Sequence, residues 1–144
     1  MATLSRSQIV PYSAQQMFDL VNDVEQYPQF LPWCSQVKIL EHSAAIMKAR
    51  VSVGKPGLSH AFITQNTLYP HEKIEMQLVE GPFRFLEGIW QFQDQGEGMS
   101  QVALNLAFEF NNPLLALSLG TLINPAFSTL VQMFTLRAQV VYGK

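Results

Sequence analysis

Apolar and polar residues alternate with period two through the middle of this 144-residue chain and switch to a helical period near its end. Ile74, Met76 and Leu78 share one side of a strand, with Glu75 and Gln77 on the other. Leu86, Gly88, Trp90 and Phe92 continue the inward face, and Gln95-Gly96-Glu97-Gly98 supplies a turn. Val102, Leu104, Leu106, Phe108 and Phe110 form a further apolar stripe. Upstream, strands over residues 37–40 and 46–53 flank a His42-Ser43-Ala44 turn, and residues 3–10 make a short first strand. Gly54-Lys55-Pro56-Gly57 and Tyr69-Pro70-His71-Glu72 are dense in turn-forming residues. Residues 58–68 alternate too poorly for their inward face to be assigned. Successive hairpins of this kind build an antiparallel sheet with one buried face.

Two regions read as helical. Ser13 and Gln16 have the spacing of a capping box, with Tyr12 and Met17 placed as a hydrophobic staple. Asp23 and Gln26 repeat the spacing, which predicts a second short helix after Val21, so the helical segments cover residues 13–26. Tyr27-Pro28, Phe30, Leu31-Pro32 and Trp33 then crowd bulky side chains into a segment whose prolines exclude regular helix. A loop this apolar has to bury its rings against the domain's own core, a ligand or a membrane. Near the C-terminus, Asn112 is a good N-cap and Pro113 suits the first helical position. Leu119, Ile123, Phe127, Leu130, Phe134, Ala138 and Val141 recur at three- and four-residue steps, while Pro125 predicts a kink or break near residues 122–124. The expected class is α+β: one long C-terminal helix covers a curved antiparallel sheet, and two short helices near the N-terminus close one end.

Composition sharpens this picture. The chain is 48% hydrophobic and only 14% charged, against about 25% charged in an average domain. That implies a large core or an apolar surface reserved for a partner, in a single domain of ordinary size. A formal net charge of −2 gives no electrostatic footprint for nucleic acid, and no DNA partner is expected, although Lys38, Lys48, Arg50 and Lys55 fall close enough together to make a local basic patch. Cys34 is the only cysteine, so no intramolecular disulfide forms and a reducing compartment fits. Its neighbours Trp33 and Ser35 offer no cation to activate a thiolate, which favours an inert, half-buried thiol over a nucleophile. The N-terminal residues lack a secretory h-region and the Arg-rich character of a transit peptide, so a cytoplasmic location is expected. Residues 114–127 are interrupted by Gly120, Asn124 and Pro125 and fall short of the roughly 20 residues that span a bilayer.

No catalytic arrangement stands out, and neither a metal nor a catalytic cofactor is expected. His42 and His71 fall in turns, and His60 lies in a strand as a core histidine rather than a base. No nucleophile elbow, P-loop or dinucleotide fingerprint occurs. Asp19, Asp23 and Glu25 sit among apolar residues at helical spacing, as a solvated face does. Arg84 and Glu87 either bind a polar head group at a pocket mouth or pair with each other on the surface, and the surface pair is favoured. The aromatics carry more weight. Phe30, Trp33, Trp90, Phe92, Phe108, Phe127 and Phe134 come from the loop, two strands and the long helix, and converge between helix and sheet. With Met76, Leu78, Gly88, Leu106 and Leu130 they line an apolar pocket or fill a core. Gly88 leaves room there or permits a close approach.

The segment PYSAQQMFDLVNDVEQYPQFLPWC (residues 11–34) resembles the coenzyme Q-binding protein / ribosome association toxin RatA family, within the START-like (SRPBCC, helix-grip) superfamily. The resemblance extends through Ile74-Glu75-Met76-Gln77-Leu78, Gly81-Pro82-Phe83-Arg84, Leu86-Glu87-Gly88 and the apolar C-terminal helix, and so runs through nearly the whole chain. It implies one helix-grip START-like domain over residues 1–144. It also implies non-enzymatic binding of ubiquinone or a related polyisoprenoid lipid in support of respiration. The head group would lie near Arg84 and the tail along the groove, with transient membrane contact through residues 114–119 and Phe30-Leu31, peripheral at the inner membrane. The RatA side of the family implies instead binding to the large ribosomal subunit and a block of its association with the small one. RNA contact normally uses cationic side chains, and nine Lys and Arg residues argue mildly against it, with Lys38, Lys48, Arg50 and Lys55 the first patch to test. The superfamily's polyketide cyclases suggest an aromatase or cyclase, for which an acid–base constellation is missing.

Overall fold

A computed structural model describes residues 2–55 and 58–143, so Pro56 and Gly57 of the expected 54–57 turn lie outside the described residues. The elements are β1 (Ala2–Val10), α1 (Ala14–Asn22), a 3-10 helix (Val24–Gln29), β2 (Cys34–His42), β3 (Ile46–Lys55), β4 (Leu58–Tyr69), β5 (Lys73–Glu80), β6 (Phe83–Gly96), β7 (Met99–Phe110), α2 (Pro113–Ser128) and α3 (Leu130–Tyr142). The strands form one antiparallel sheet in the order β1-β7-β6-β5-β4-β3-β2. The chain thus crosses from one sheet edge to the other through α1 and the 3-10 helix, then meanders back until β7 pairs with β1. The C-terminal helices fill the concave side, giving the expected α+β helix-grip architecture.

Register explains which side chains meet in the core. Ile74 lies opposite Trp90, Trp90 opposite Leu104, and Phe92 opposite Val102, so the period-two faces stack into continuous inward rows. Pairing also assigns the ambiguous strand. Val53 faces His60, Val51 faces Phe62, Ala49 faces Thr64 and Met47 faces Asn66. Residues 60, 62, 64, 66 and 68 therefore point inward. Polar Thr64 and Asn66 sit on the buried side while Ala61 and Ile63 sit on the outer one, which masked the alternation. Between β6 and β7, Glu97 (φ 56°) and Gly98 (φ 76°) are the two central residues of a tight hairpin, a turn that needs positive φ at both.

The first helix starts as its sequence predicts. The Gln16 N–H donates to Ser13 Oγ at 3.1 Å, and the Ser13 N–H donates to Gln16 Oε1 at 2.9 Å. Tyr12 and Met17 are both buried. A further cap comes from a distant strand: the Ala14 N–H donates to Asp94 Oδ1 at 2.8 Å, tying α1 to β6. Asp94→Ala is expected to cost about 1 kcal/mol of unfolding free energy, read as a shift of the urea midpoint. The second helical segment departs from expectation. Asp23 makes no side-chain cap, and with Pro28 inside it the segment forms a 3-10 helix rather than an α-helix.

The long C-terminal helix is bent by 54° at Thr129, not at residues 122–124. α2 tolerates Pro125 because both Pro125 and Thr121 are exposed, so the Thr121 carbonyl left without an N–H partner meets water. The break comes one turn later. Ser128 Oγ and Thr129 Oγ1 each donate to the Pro125 carbonyl at 3.0 Å, and Thr129 Oγ1 also donates to the Ala126 carbonyl at 3.2 Å. These hydroxyls compete for carbonyls that the next turn's N–H groups would take. No single described helix is long and apolar enough to cross a membrane; α2 and α3 reach that length only as the bent pair. Leu119, Ile123, Phe127, Val131, Phe134 and Ala138 along their inner side are buried.

Candidate functional site

The space between sheet and helices is nearly filled by interlocking rings. Phe134 on α3 meets Trp90, Tyr27 and Phe30 edge-on, at centroid distances of 5.3, 5.3 and 5.2 Å. Phe127 on α2 meets Phe108 at 5.1 Å and Trp33 at 6.2 Å in the same geometry. Edge-to-face contact is the favoured arrangement for aromatic quadrupoles. Between the two groups remains a cavity of about 70 Å3. A water takes about 30 Å3 of the liquid, whereas pockets for drug-sized ligands run to about 300–1,000 Å3. The occupant this cavity accepts is one or two waters.

Its wall is apolar apart from Thr64, Asn66 and Tyr27. Asn66 Oδ1 is buried without a hydrogen-bond partner. The Tyr27 hydroxyl donates to the Val21 carbonyl, and burial pushes this phenol far above its ordinary pKa, so it stays a neutral donor. No carboxylate, imidazole, amine or thiol lines the cavity. The wall can hold a small hydrogen-bond donor against Asn66, and it offers no acid–base pair.

Of the residues expected at this site, Trp33, Met76, Trp90, Leu106, Phe127, Leu130 and Phe134 stand on the wall. The others lie behind it. Phe30 packs between Phe134 and the Arg137 guanidinium, and Phe92 stacks on Trp90 and meets Phe18. Phe108 sits between Phe83 and Phe127, and Leu78 lies near Gly81. Gly88 opens no room: a Cβ there would come within 2.7 Å of Leu106 Cδ1 and 3.1 Å of Met76 Cε. Its bare backbone lets those two side chains close over it. Arg84 is on the exterior, 71% exposed, with Nε 3.1 Å from Glu109 Oε2, so its surface partner is Glu109 and not Glu87. Phe62, Thr64, Asn66 and Tyr27 complete the wall. The β4 residues escaped the sequence reading because their inward face had no clean period, while the Tyr27-Pro28 pair was the available signal for Tyr27.

The histidines stay apart. His60 is half-buried on the concave side, His42 ends β2 exposed, and His71 adopts φ 65° with Nε2 4.0 Å from Asp19. Among the described residues, no three His, Cys, Asp or Glu side chains come together to hold a metal ion. Cys34 is buried, and desolvation pushes its thiol up to about 11. An unfolded thiol titrates near about 8.5, so the native state keeps its proton over a range where the unfolded chain loses it. The resulting stability is fully present below about pH 8.5 and is lost as pH rises towards about 11. Urea midpoints are expected to fall across that window, less steeply in Cys34→Ala, and iodoacetamide is expected to label the native protein only at its unfolding rate.

On the outer face, Lys38 is paired in register with Arg50, and Lys48 with Glu41, while the side chain of Lys55, expected in the same patch, lies outside what the structure describes.

Known proteins similar to this chain agree with its architecture. The family described as polyketide cyclase / dehydrase and lipid transport matches residues 10–135. The chain is 47% identical over 144 residues to the ribosome association toxin RatA of Vibrio cholerae serotype O1, covering 100% of each. It is 46% identical over 140 residues to the protein of that name from Pseudomonas aeruginosa, covering 97% of each. The crystal structure of the Zhui aromatase/cyclase from Streptomyces sp. R1128 superposes with a TM-score of 0.82 at 17% identity, over 96% of this chain and 95% of that one, a likeness of fold alone. With its helix-grip sheet and a family match over most of its length, the chain belongs to the polyketide cyclase / dehydrase and lipid transport family and has the RatA proteins among its relatives.

Proposed function

We propose that this chain binds the large ribosomal subunit and blocks its association with the small one, as its resemblance to RatA implies. The observation that carries this reading is full-length similarity, at 46–47% identity, to proteins named as ribosome association toxins. The packed interior is consistent with it: beside a cavity of about 70 Å3, a resident quinone requires the rings around Phe134 and Phe127 to move. The test is light scattering of purified subunits mixed at magnesium concentrations that join them. Stoichiometric protein is expected to suppress the rise in scattering, and an undiminished rise at saturating protein would count against the reading.

A second reading is lipid binding, including the bound ubiquinone that the resemblance implies. It is favoured by the apolar wall and by the unpartnered Asn66 Oδ1, an acceptor that the hydroxyl of a reduced quinol would satisfy, the quinone itself having no donor. Organic extraction of gently purified protein followed by mass spectrometry separates the readings. Near-stoichiometric isoprenoid quinone would support a carrier, and an empty extract would leave the ribosome.

A further inference from the structure

The outer face of the sheet is divided by charge. At one side, Lys38 and Arg50 stand directly opposite each other in the β2–β3 ladder, and Lys48 follows on the same face of β3, opposite Glu41 of β2. At the other side lie Glu75 on β5 and Glu87 on β6, both on outer-face positions. Beside the cations in the β2–β3 ladder Gln36 stands opposite Ser52, and β4 between the two sides presents Ala61, Ile63 and Gln65, the last opposite Gln77.

The Lys38–Arg50 pairing is unfavourable in itself, because like charges directly opposite destabilise a sheet. Both residues are exposed, and neither has a carboxylate within ion-pair distance among the described residues. Other cations are engaged within the fold: Arg84 with Glu109, Arg137 with Gln29 and Phe30, and Lys73 with Tyr69. A pairing that costs stability is expected where a position is held for something else.

We propose that the outer face of β2–β4, centred on Lys38, Lys48 and Arg50, docks on the sugar–phosphate backbone of RNA in the large subunit. This rests on the ribosome-binding reading. The chemistry that fits the face is a row of phosphates. Lys48 and Arg50 are two residues apart on one strand, roughly 7 Å, a spacing on the scale of one nucleotide. Gln36, Ser52 and Gln65 beside them are the kind of side chain that bonds phosphate and ribose oxygens. The outer face of this curved sheet is convex, a shape that can enter the wide, shallow minor groove of an A-form helix, where contact is to backbone and 2′-hydroxyls and not to sequence. Three cations also reconcile RNA contact with a net charge of −2: against Lys38, Lys48 and Arg50 this side of the face sets Glu41, opposite Lys48, and Glu80, two strands from Arg50, while Glu75 and Glu87 lie further off.

The test compares wild type, the K38Q/R50Q and K38E/R50E variants, and an E75Q/E87Q control. Each is measured on intact large subunits by sedimentation and on deproteinised large-subunit RNA by anisotropy over a potassium chloride series. Wild type is expected to bind both, with log K falling against log salt at a slope of about −2 to −3 for three phosphates. K38Q/R50Q should flatten that slope by about 1.4–1.8, K38E/R50E should lose on the order of a hundredfold in affinity at moderate salt, and E75Q/E87Q should bind no more weakly than wild type. K38E alone, measured in the same assays, places a carboxylate opposite Arg50, so its Tm should equal or exceed that of wild type while its binding falls, which separates lost binding from lost folding. If K38E/R50E binds subunits as wild type does, the face is wrongly assigned and the ribosome reading stands. If the variants lose the subunit while wild type ignores naked RNA, the partner is a ribosomal protein and the RNA assignment falls. If wild type binds no subunit at all, the underlying reading fails and this one with it.

Discussion

Phe134→Ala is expected to lower the unfolding free energy by about 3–5 kcal/mol, the range for emptying a large aromatic site in a core. Phe134 is 1% exposed and is the one ring in contact with Trp90, Tyr27 and Phe30 together. It joins α3 to the sheet and to the 3-10 helix. Truncation would add the volume of a ring to the cavity already there, and the walls cannot readily collapse. On one side they are strands locked in register, and on the other a helix whose ends are fixed by the Thr129 break and by the Tyr142 hydroxyl donating to the Gln16 carbonyl at 2.8 Å. In urea titrations the midpoint should fall with the slope unchanged. A loss below about 1 kcal/mol would mean that the helices close over the void. Below its lowered Tm the variant should still block subunit joining, because the outer face is untouched.

Gly81→Ala should cost at least about 2 kcal/mol, combining backbone strain with a steric clash. Gly81 has φ 158°, and a Cβ there would lie 2.5 Å from Phe62 Cβ and 3.3 Å from Phe62 Cα. The obstruction is backbone-proximal, so no side-chain rotation relieves it. Phe62 in turn packs on Phe83, and the Pro82 carbonyl accepts the Asn111 N–H at 3.2 Å. Displacing this turn therefore disturbs three strands and the entry to α2. Gly96 provides the contrast: φ is 87° but nothing lies within 4 Å of its missing Cβ. Gly96→Ala should cost only about 1 kcal/mol, and equal losses at the two sites would refute the role given to Phe62.

What could be read in the sequence followed from local physics. Strands with clean alternation, such as the Ile74–Met76–Leu78 row, point inward as expected, and the Ser13–Gln16 box and Asn112–Pro113 start cap their helices. What could not be read depends on pairing. The inward face of β4 emerges only from its register with β3, because Thr64 and Asn66 are polar residues in buried rows. Asp94 caps a helix 80 positions away, and Arg84 chooses Glu109 across a strand over Glu87 on its own. The proline in α2 was visible, but the bend moved to Thr129 because hydroxyl bonding to the Pro125 and Ala126 carbonyls is a three-dimensional detail. The converging aromatics suggested either a pocket or a core, and only the packing shows how little space they leave. The Lys38–Arg50 opposition was likewise hidden, since a run of basic residues says nothing about which of them face each other.

The most direct test is sedimentation of the purified protein with isolated large subunits and, separately, with isolated small subunits. Ribosome binding through the outer face requires that the protein migrate with large subunits at low salt, leave them as salt rises, and remain at the top of the gradient with small ones. Protein that stays at the top in both, while its organic extract carries a near-stoichiometric isoprenoid quinone, would contradict ribosome binding and make this chain a lipid carrier.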